Sequence, residues 1–184
     1  MGQSKALLSW GTTSLIDHQV TTLALYTEIT RIVVVLGHKA DELRAALHHA
    51  KIQIAINHNY REGRASSLVT GAKALTDLVP VSVLVCNVDQ PLVPEIVAPL
   101  IAAYRACPDA ILRPVHAGRT GHPLIVPSDI APELLLVREQ TLGLRAITAR
   151  HKKRIRSVPV TSGLATLNLN TPAEFRAAHA KYAL

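Results

Sequence analysis

The chain has 184 residues, enough for one domain, residues 1–184, with a sizeable core and no room for a second domain of full size. Hydrophobic residues make up 48% and aromatics only 3%, so Val, Ile, Leu and Ala build the interior, the usual makeup of an α/β protein with a parallel sheet. A formal net charge of +7 favours anionic partners such as nucleotides and phosphorylated metabolites, while apolar runs no longer than 32–36 or 134–137 and the lack of a signal pattern predict a cytoplasmic protein without a membrane span.

In chain order, residues 1–12 read as a loop, and Thr13 or Ser14 caps a predicted helix with Leu15, Ile16, Gln19, Val20, Leu23 and Ala24 at helical spacing. Ile32 to Leu36 is a strand ending at Gly37, Asp41 to Ala50 a helix, and Ile52 to Ile56 a second strand. A polar segment, NHNYREGRASS, leads to a helix from Ser67 to about Leu78. After a strand near Val81 come a helix at Pro94 to Ala106, with proline in its first turn, a strand at Ala110 to Val115, a Gly-rich link and the apolar stretch Leu124 to Val126. Helical segments near Ile130 to Arg138 and Leu144 to His151, a strand at Ile155 to Val160 and a helix from Ala173 complete the chain. This alternation predicts a doubly wound, mostly parallel sheet with right-handed crossovers, although such a fold normally begins with a strand and here a helix comes first. Cys86 and Cys107 have neither disulfide nor metal-ligand spacing and read as reduced thiols. The basic run His151-Lys152-Lys153-Arg154 reads as a solvated face, and with no helix-turn-helix, zinc-finger or aromatic stacking pattern beside it, nucleic acid is not an expected partner.

The chemistry is concentrated in Val81 to Val93, VSVLVCNVDQPLV. Its apolar run predicts a strand buried on both faces, and Asp89 would sit just past the carboxyl end, the rim where open α/β sheets bind ligands. A carboxylate there is a natural ligand for Mg²⁺, a hard cation that prefers oxygen. Asp89 reads equally well as a turn residue or helix cap.

Four segments in order, MGQSKALLSWG, NHNYREGRASSLVTGAKAL, NVDQPLV, and GRTGHPLIV followed by LNLNTPAEF, resemble the molybdenum-cofactor cytidylyltransferases, within the wider MobA-like nucleotidyltransferases of the nucleotide-diphospho-sugar transferase fold. The resemblance spans essentially the whole chain and implies a three-layer α/β domain. In that family a first strand runs into a glycine-rich loop, LAAGxSxRMGxxK. Only Met1, Gly2 and Lys5 of it are matched here, so the resemblance implies a sheet lacking its first strand and phosphate loop. Lys5 would reach the nucleotide phosphates, and Asp89 would bind Mg²⁺; these two are the implied catalytic residues. Gly2, Asn57, Gly63, Ser66, Ser67 and Gln90 would complete the nucleotide site, Gln90 tilting it toward CTP; Ser66 and Ser67 would also serve as an ordinary helix cap. Gly121, His122 and Pro123 would line the acceptor side. Asn170 stands where many relatives have a metal-binding Asp and still offers a carbonyl oxygen. Arg64 replaces a usual methionine, and Thr141 a usual Asp, with Gly143 and Arg145 of that segment retained.

The implied reaction is transfer of CMP from CTP to the terminal phosphate of molybdopterin with release of pyrophosphate, assisted by Mg²⁺ and positioning rather than covalent catalysis. A molybdoenzyme or its maturation chaperone would be a further partner. Two alternatives stand beside it: a nucleotidyltransferase for a sugar or polyol phosphate, and a catalytically degenerate homologue that binds molybdopterin.

Overall fold

The computed structural model describes residues 4–47, 49, 52–78, 82–141 and 143–182. Lys5–Leu7 form one turn of 3-10 helix, followed by a two-stranded hairpin, β1 (Ser9–Trp10) and β2 (Thr13–Ser14). Ser14 caps α1 (Leu15–Ala24), its hydroxyl accepting from the Asp17 amide at 3.3 Å. Next come β3 (Ile32–Leu36), α2 (Ala40–Ala45), β4 (Ile52–Ile56), α3 (Arg64–Lys73), β5 (Val83–Val85) and α4 (Pro94–Ala106). The carboxyl-terminal half holds β6 (Ile111–His116), β7 (Arg119–Thr120), β8 (Leu124–Val126), α5 (Leu144–Arg150), β9 (Ile155–Pro159) and α6 (Pro172–Tyr182).

The architecture is α/β and three-layered. Side chains alternate across the strands: Ile111, Leu124 and Val126 pack with Ala65, Leu134 and Ile147 on one face, whereas Leu112 and Ile125 pack with Ile96, Leu100 and Trp10 on the other. Full burial of an aliphatic side chain of this size contributes about 2 kcal/mol. Trp10 is buried against Phe175, with ring centroids 6.0 Å apart, and so ties the amino-terminal hairpin to α6.

Parallel pairing joins β3 to β4 and β6 to β9, each through five residue pairs. The expected strand at residues 83–85 forms, but its paired neighbour is antiparallel β8, which lies between β5 and β6. The physical reason is the length of the link after β6. A parallel return needs a crossover of about a dozen residues, and the short segment carrying β7 supports only an antiparallel reversal. Where the resemblance implied a sheet lacking a strand, the sheet is divided: among the described residues β3 and β5 do not pair with one another.

Two helices depart from their expected bounds. Expected over 41–50, α2 closes at Ala45, where the amides of Ala46 and Leu47 bond three residues back and tighten the last turn; residues 48 and 50 lie outside the described residues. Helix α3 starts three residues earlier than expected because Gly63 takes a φ of 103° that suits glycine, and the Glu139 carboxylate accepts from the Ala65 amide at 2.9 Å. The segment expected to be helical near 130–138 is a 3-10 helix, Ala131–Leu136. In the basic run Lys152 and Lys153 are exposed, as a solvated face requires, while its ends are tied down, His151 with the preceding Arg150 on Glu133 and Arg154 on Asp129. No helix among the described residues is long and apolar enough to cross a membrane.

Candidate active site

The loop after β5, residues 86–93, is held from beneath by α1. Gln19, buried, donates its side-chain amide to the carbonyl oxygens of Asn87 at 3.0 Å, Val88 at 3.4 Å and Gln90 at 2.7 Å. His18 donates from Nε2 to the Leu92 carbonyl at 2.8 Å, and the Thr22 hydroxyl reaches the same oxygen at 3.4 Å. Of these polar residues, Gln19 sits on the helix face that helical spacing marked as core. A lone Gln between Ile16 and Val20 was the available signal, since a buried amide must find partners.

From above, the Arg64 guanidinium donates to Asn87 Oδ1 at 2.6 Å, and Asn87 donates to Gln90 Oε1 at 2.8 Å. Gln90 is therefore a buried brace of the loop, with its oxygen already engaged. Asp89 lies half-buried at the tip. Replacing Gln19 with Met keeps the volume and strips the loop carbonyls of a shared donor. The expected loss is about 2 kcal/mol of stability, with faster amide exchange across residues 87–92, measured by urea denaturation and hydrogen exchange.

The carboxyl-terminal segment then closes on this tip. The Leu169 amide donates to the Asp89 carbonyl at 2.9 Å, which brings Asn170 beside the loop, and Lys5 Nζ donates to Asn170 Oδ1 at 3.0 Å. Thr171 and Glu174 form a reciprocal capping box at the start of α6: Glu174 accepts from the Thr171 amide at 2.8 Å, and Thr171 Oγ1 accepts from the Glu174 amide at 3.2 Å. These bonds hold the Glu174 carboxyl below its ordinary range, the Thr171 amide contributing most. Lys5 and Asn170, separated by most of the chain, are thus brought beside the Asp89 loop at the rim. With its oxygen bonded to Lys5, Asn170 offers a metal only what Lys5 gives up.

Asn57, Gly63, Ser66 and Ser67 form a second group. Asn57 is buried and donates to Ser66 Oγ at 2.8 Å and Ser67 Oγ at 3.0 Å, while its own oxygen accepts from the Asn59 amide at 2.9 Å. Ser66 also donates to the Gly63 carbonyl at 2.8 Å. The two serines lie in the first turn of α3, and Gly63 holds the cap position. A Cβ on Gly63 would fall 2.7 Å from the Glu139 carboxylate, so the glycine serves close approach as well as its φ. Glu139 itself carried no local signal, being a carboxylate that caps a helix 74 positions away.

Gly121, His122 and Pro123 form the third group. The His122 amide donates to the Ala165 carbonyl and the Gly121 amide to the Pro114 carbonyl, both at 2.9 Å, and the His122–Pro123 peptide is cis. Burial lowers the His122 imidazole pKa, and Arg64 and Arg145 add to this while Asp89 opposes it, so the ring is neutral at pH 7. Its Nδ1 is buried without a partner among the described residues. Those charges link the group electrostatically to the Asp89 loop. Gly2 lies outside the described residues. Thr141 is exposed and bonds the Arg138 carbonyl at 3.0 Å. Burial pushes the Cys86 thiol up to about 12, too high for a nucleophile at neutral pH. Among the described residues no three His, Cys, Asp or Glu side chains form a metal-holding cluster.

Residues 1–155 match the family model described as the MobA-like NTP transferase domain. Among solved structures, the chain is similar to a nucleotidyl transferase from Methanothermobacter thermautotrophicus, at 18% identity and a TM-score of 0.78, covering 96% of this chain and 84% of that one. It is similar to molybdopterin-guanine dinucleotide biosynthesis protein A from Archaeoglobus fulgidus, at 17% identity and 0.68, covering 98% and 91%. The Rv0371c protein of Mycobacterium tuberculosis, solved in complex with manganese, is similar at 21% identity and 0.72, covering 96% and 91%. At these identities the structures speak for the fold, and no curated protein matches the chain. The family match over most of its length places the chain in the MobA-like NTP transferase domain family.

Proposed function

We propose that this nucleotidyltransferase-family chain transfers CMP from CTP to the terminal phosphate of molybdopterin. The observation that carries the reading is the placing of Lys5 and Asn170 beside the Asp89 loop at the rim, with Lys5 bonded to Asn170 at 3.0 Å and Leu169 bonded to the Asp89 backbone at 2.9 Å. An oxygen of the acceptor phosphate attacks the α-phosphorus of CTP, a new P–O bond forms, and the bond to the β-phosphate breaks, so pyrophosphate leaves with its electron pair. Such a displacement asks for alignment and charge neutralisation more than for a nucleophilic side chain.

Asp89 would hold Mg²⁺, an ion that commonly binds through one or two carboxylates plus substrate phosphates. Asn170 would add its carbonyl oxygen once Lys5 swings to the triphosphate. Bound there, the ion supplies neutralisation of the phosphate oxygens. Lys5 carries a mobile point charge suited to that exchange. Asn57, Gly63, Ser66 and Ser67 form the wall toward the base, and Gln90 keeps the loop in shape against CTP. Gly121, His122 and Pro123 face the acceptor, with the neutral His122 ring forming part of that wall. The molybdopterin assignment rests on the sequence resemblance and on the likeness to a protein named for molybdopterin-guanine dinucleotide biosynthesis. A manganese-bound neighbour of the same fold supports a divalent ion. The test is release of pyrophosphate from CTP in the presence of molybdopterin and Mg²⁺.

A further inference from the structure

Strand β6 lies inside its sheet, between β8 and β9, and yet carries a cation near its middle. Alternation along the strand puts Arg113 on the face of Ile111, which packs with Leu124, Val126 and Ile147 of α5. Arg113 is half-buried there, and a charge drawn partly out of water is costly without a partner. Among the described residues no carboxylate bonds it. Its one hydrogen bond runs from Nε to the hydroxyl of Ser157, its register neighbour on β9, at 3.5 Å. Most of the N–H donors of the guanidinium are left over.

They open onto a cleft of about 460 Å³, lined by Arg113, Ile155 and Ser157 from the two strands and by Thr148, Ala149 and Lys152 from the end of α5 and the turn after it. Lys152 is exposed, and its ammonium has no partner among the described residues. The carboxylates beside this turn are engaged elsewhere, Glu133 by Arg150 and His151 and Asp129 by Arg154, and the same pairs fix the turn that presents Lys152. The Thr148 hydroxyl donates to the Arg145 carbonyl at 3.0 Å and so supplies only wall. The Ser157 hydroxyl accepts from Arg113 and keeps its own hydrogen for an acceptor in the cleft. Two cations and one hydroxyl therefore face the cleft as donors, with no carboxylate among its lining residues to neutralise them.

We propose that this cleft binds a phosphate group, as inorganic phosphate or as the monoester of a small metabolite, through Arg113, Lys152 and Ser157. A phosphate dianion brings several acceptor oxygens and enough charge for both cations, and its geometry suits the guanidinium fork. The site is separate from the reaction centre. In the order β5–β8–β6–β9, three strand spacings of about 4.8 Å put β9 about 14 Å from β5, whose loop carries Asp89. No step of the proposed transfer uses it.

The test is titration of the full chain with inorganic phosphate and, in parallel, with glycerol phosphate, at fixed ionic strength and without divalent metal, followed by backbone amide NMR shifts. The expected result is saturable shifts centred on residues 113 and 148–157, with affinity lowered at least about tenfold by Lys152→Gln and by Arg113→Gln. Lys153→Gln should leave the affinity unchanged, because Lys153 carries the same charge one position along without lining the cleft. Should Arg113→Gln unfold the chain, Lys152→Gln decides alone, since that side chain is exposed. Tighter binding of the monoester identifies a metabolite as the source of the phosphate, and equal or tighter binding of inorganic phosphate identifies the free ion. Three results would overturn the proposal: shifts confined to residues 87–90, an equal loss of affinity in Lys153→Gln, or a drift of shifts that never saturates.

Discussion

Replacing Asp89 with Asn is expected to lower pyrophosphate release at least about a hundredfold while leaving the melting temperature within a few degrees of the parent. The substitution is isosteric, and the backbone carbonyl of residue 89 keeps its bond from the Leu169 amide at 2.9 Å. Gln19 still fixes the loop through the flanking carbonyls. What disappears is the negative charge at the tip, and charge is what attracts a hard divalent ion. Removing one preorganised electrostatic contact in a site of this kind typically costs a factor of about 10² to 10³. Rate and melting temperature measured on the same preparation separate the outcomes. A lowered melting temperature with the lost rate would reassign Asp89 to structure, and an unchanged rate would remove it from catalysis.

Gly121→Ala is expected to destabilise the fold by about 3 kcal/mol or more. A Cβ at this position would overlap the Ala165 carbonyl oxygen and crowd the Thr166 amide. Both obstacles are backbone, so no rotamer change relieves the overlap. Either the GHP segment or the 3-10 turn Gly163–Thr166 must move, and the bond from the His122 amide to the Ala165 carbonyl goes with it. Gly118, at the hairpin before it, is the contrast. Its φ of 75° is left-handed, but a Cβ there would meet nothing within 4 Å, so Gly118→Ala should cost only about 1 kcal/mol. Equilibrium denaturation of the two variants checks the difference, and equal stability would show that the close approach at Gly121 carries no weight.

The alternation of strands and helices was readable because apolar runs such as Ile32 to Leu36 and Ile52 to Ile56 are short and β-branched, and the helix at Pro94 to Ala106 carries its own start signal. The antiparallel return of Leu124 to Val126 was not read, although the short link before it was the clue. The end of α2 and the start of α3 were misplaced for different reasons. One helix closes by tightening onto Leu43 and Arg44, the other opens on a carboxylate from Glu139, and a distant partner of that kind leaves no local pattern. In the site, the resemblance singled out residues that the fold does gather: Lys5 with Asn170, and Asn57 with Ser66 and Ser67. The supports beneath the Asp89 loop were hidden as well, Gln19 within an apolar helical stripe and His18 and Thr22 beside it. Their partners are backbone carbonyls of a loop about 70 positions away, which no window of sequence displays.

The most direct measurement is the initial rate of pyrophosphate release by the 184-residue chain with molybdopterin and Mg²⁺, comparing CTP, GTP and ATP at equal concentration. The account predicts release from CTP that requires both the pterin and the metal, with GTP and ATP at least about tenfold slower. Tight binding of molybdopterin with no release from any of the three nucleotides would contradict it.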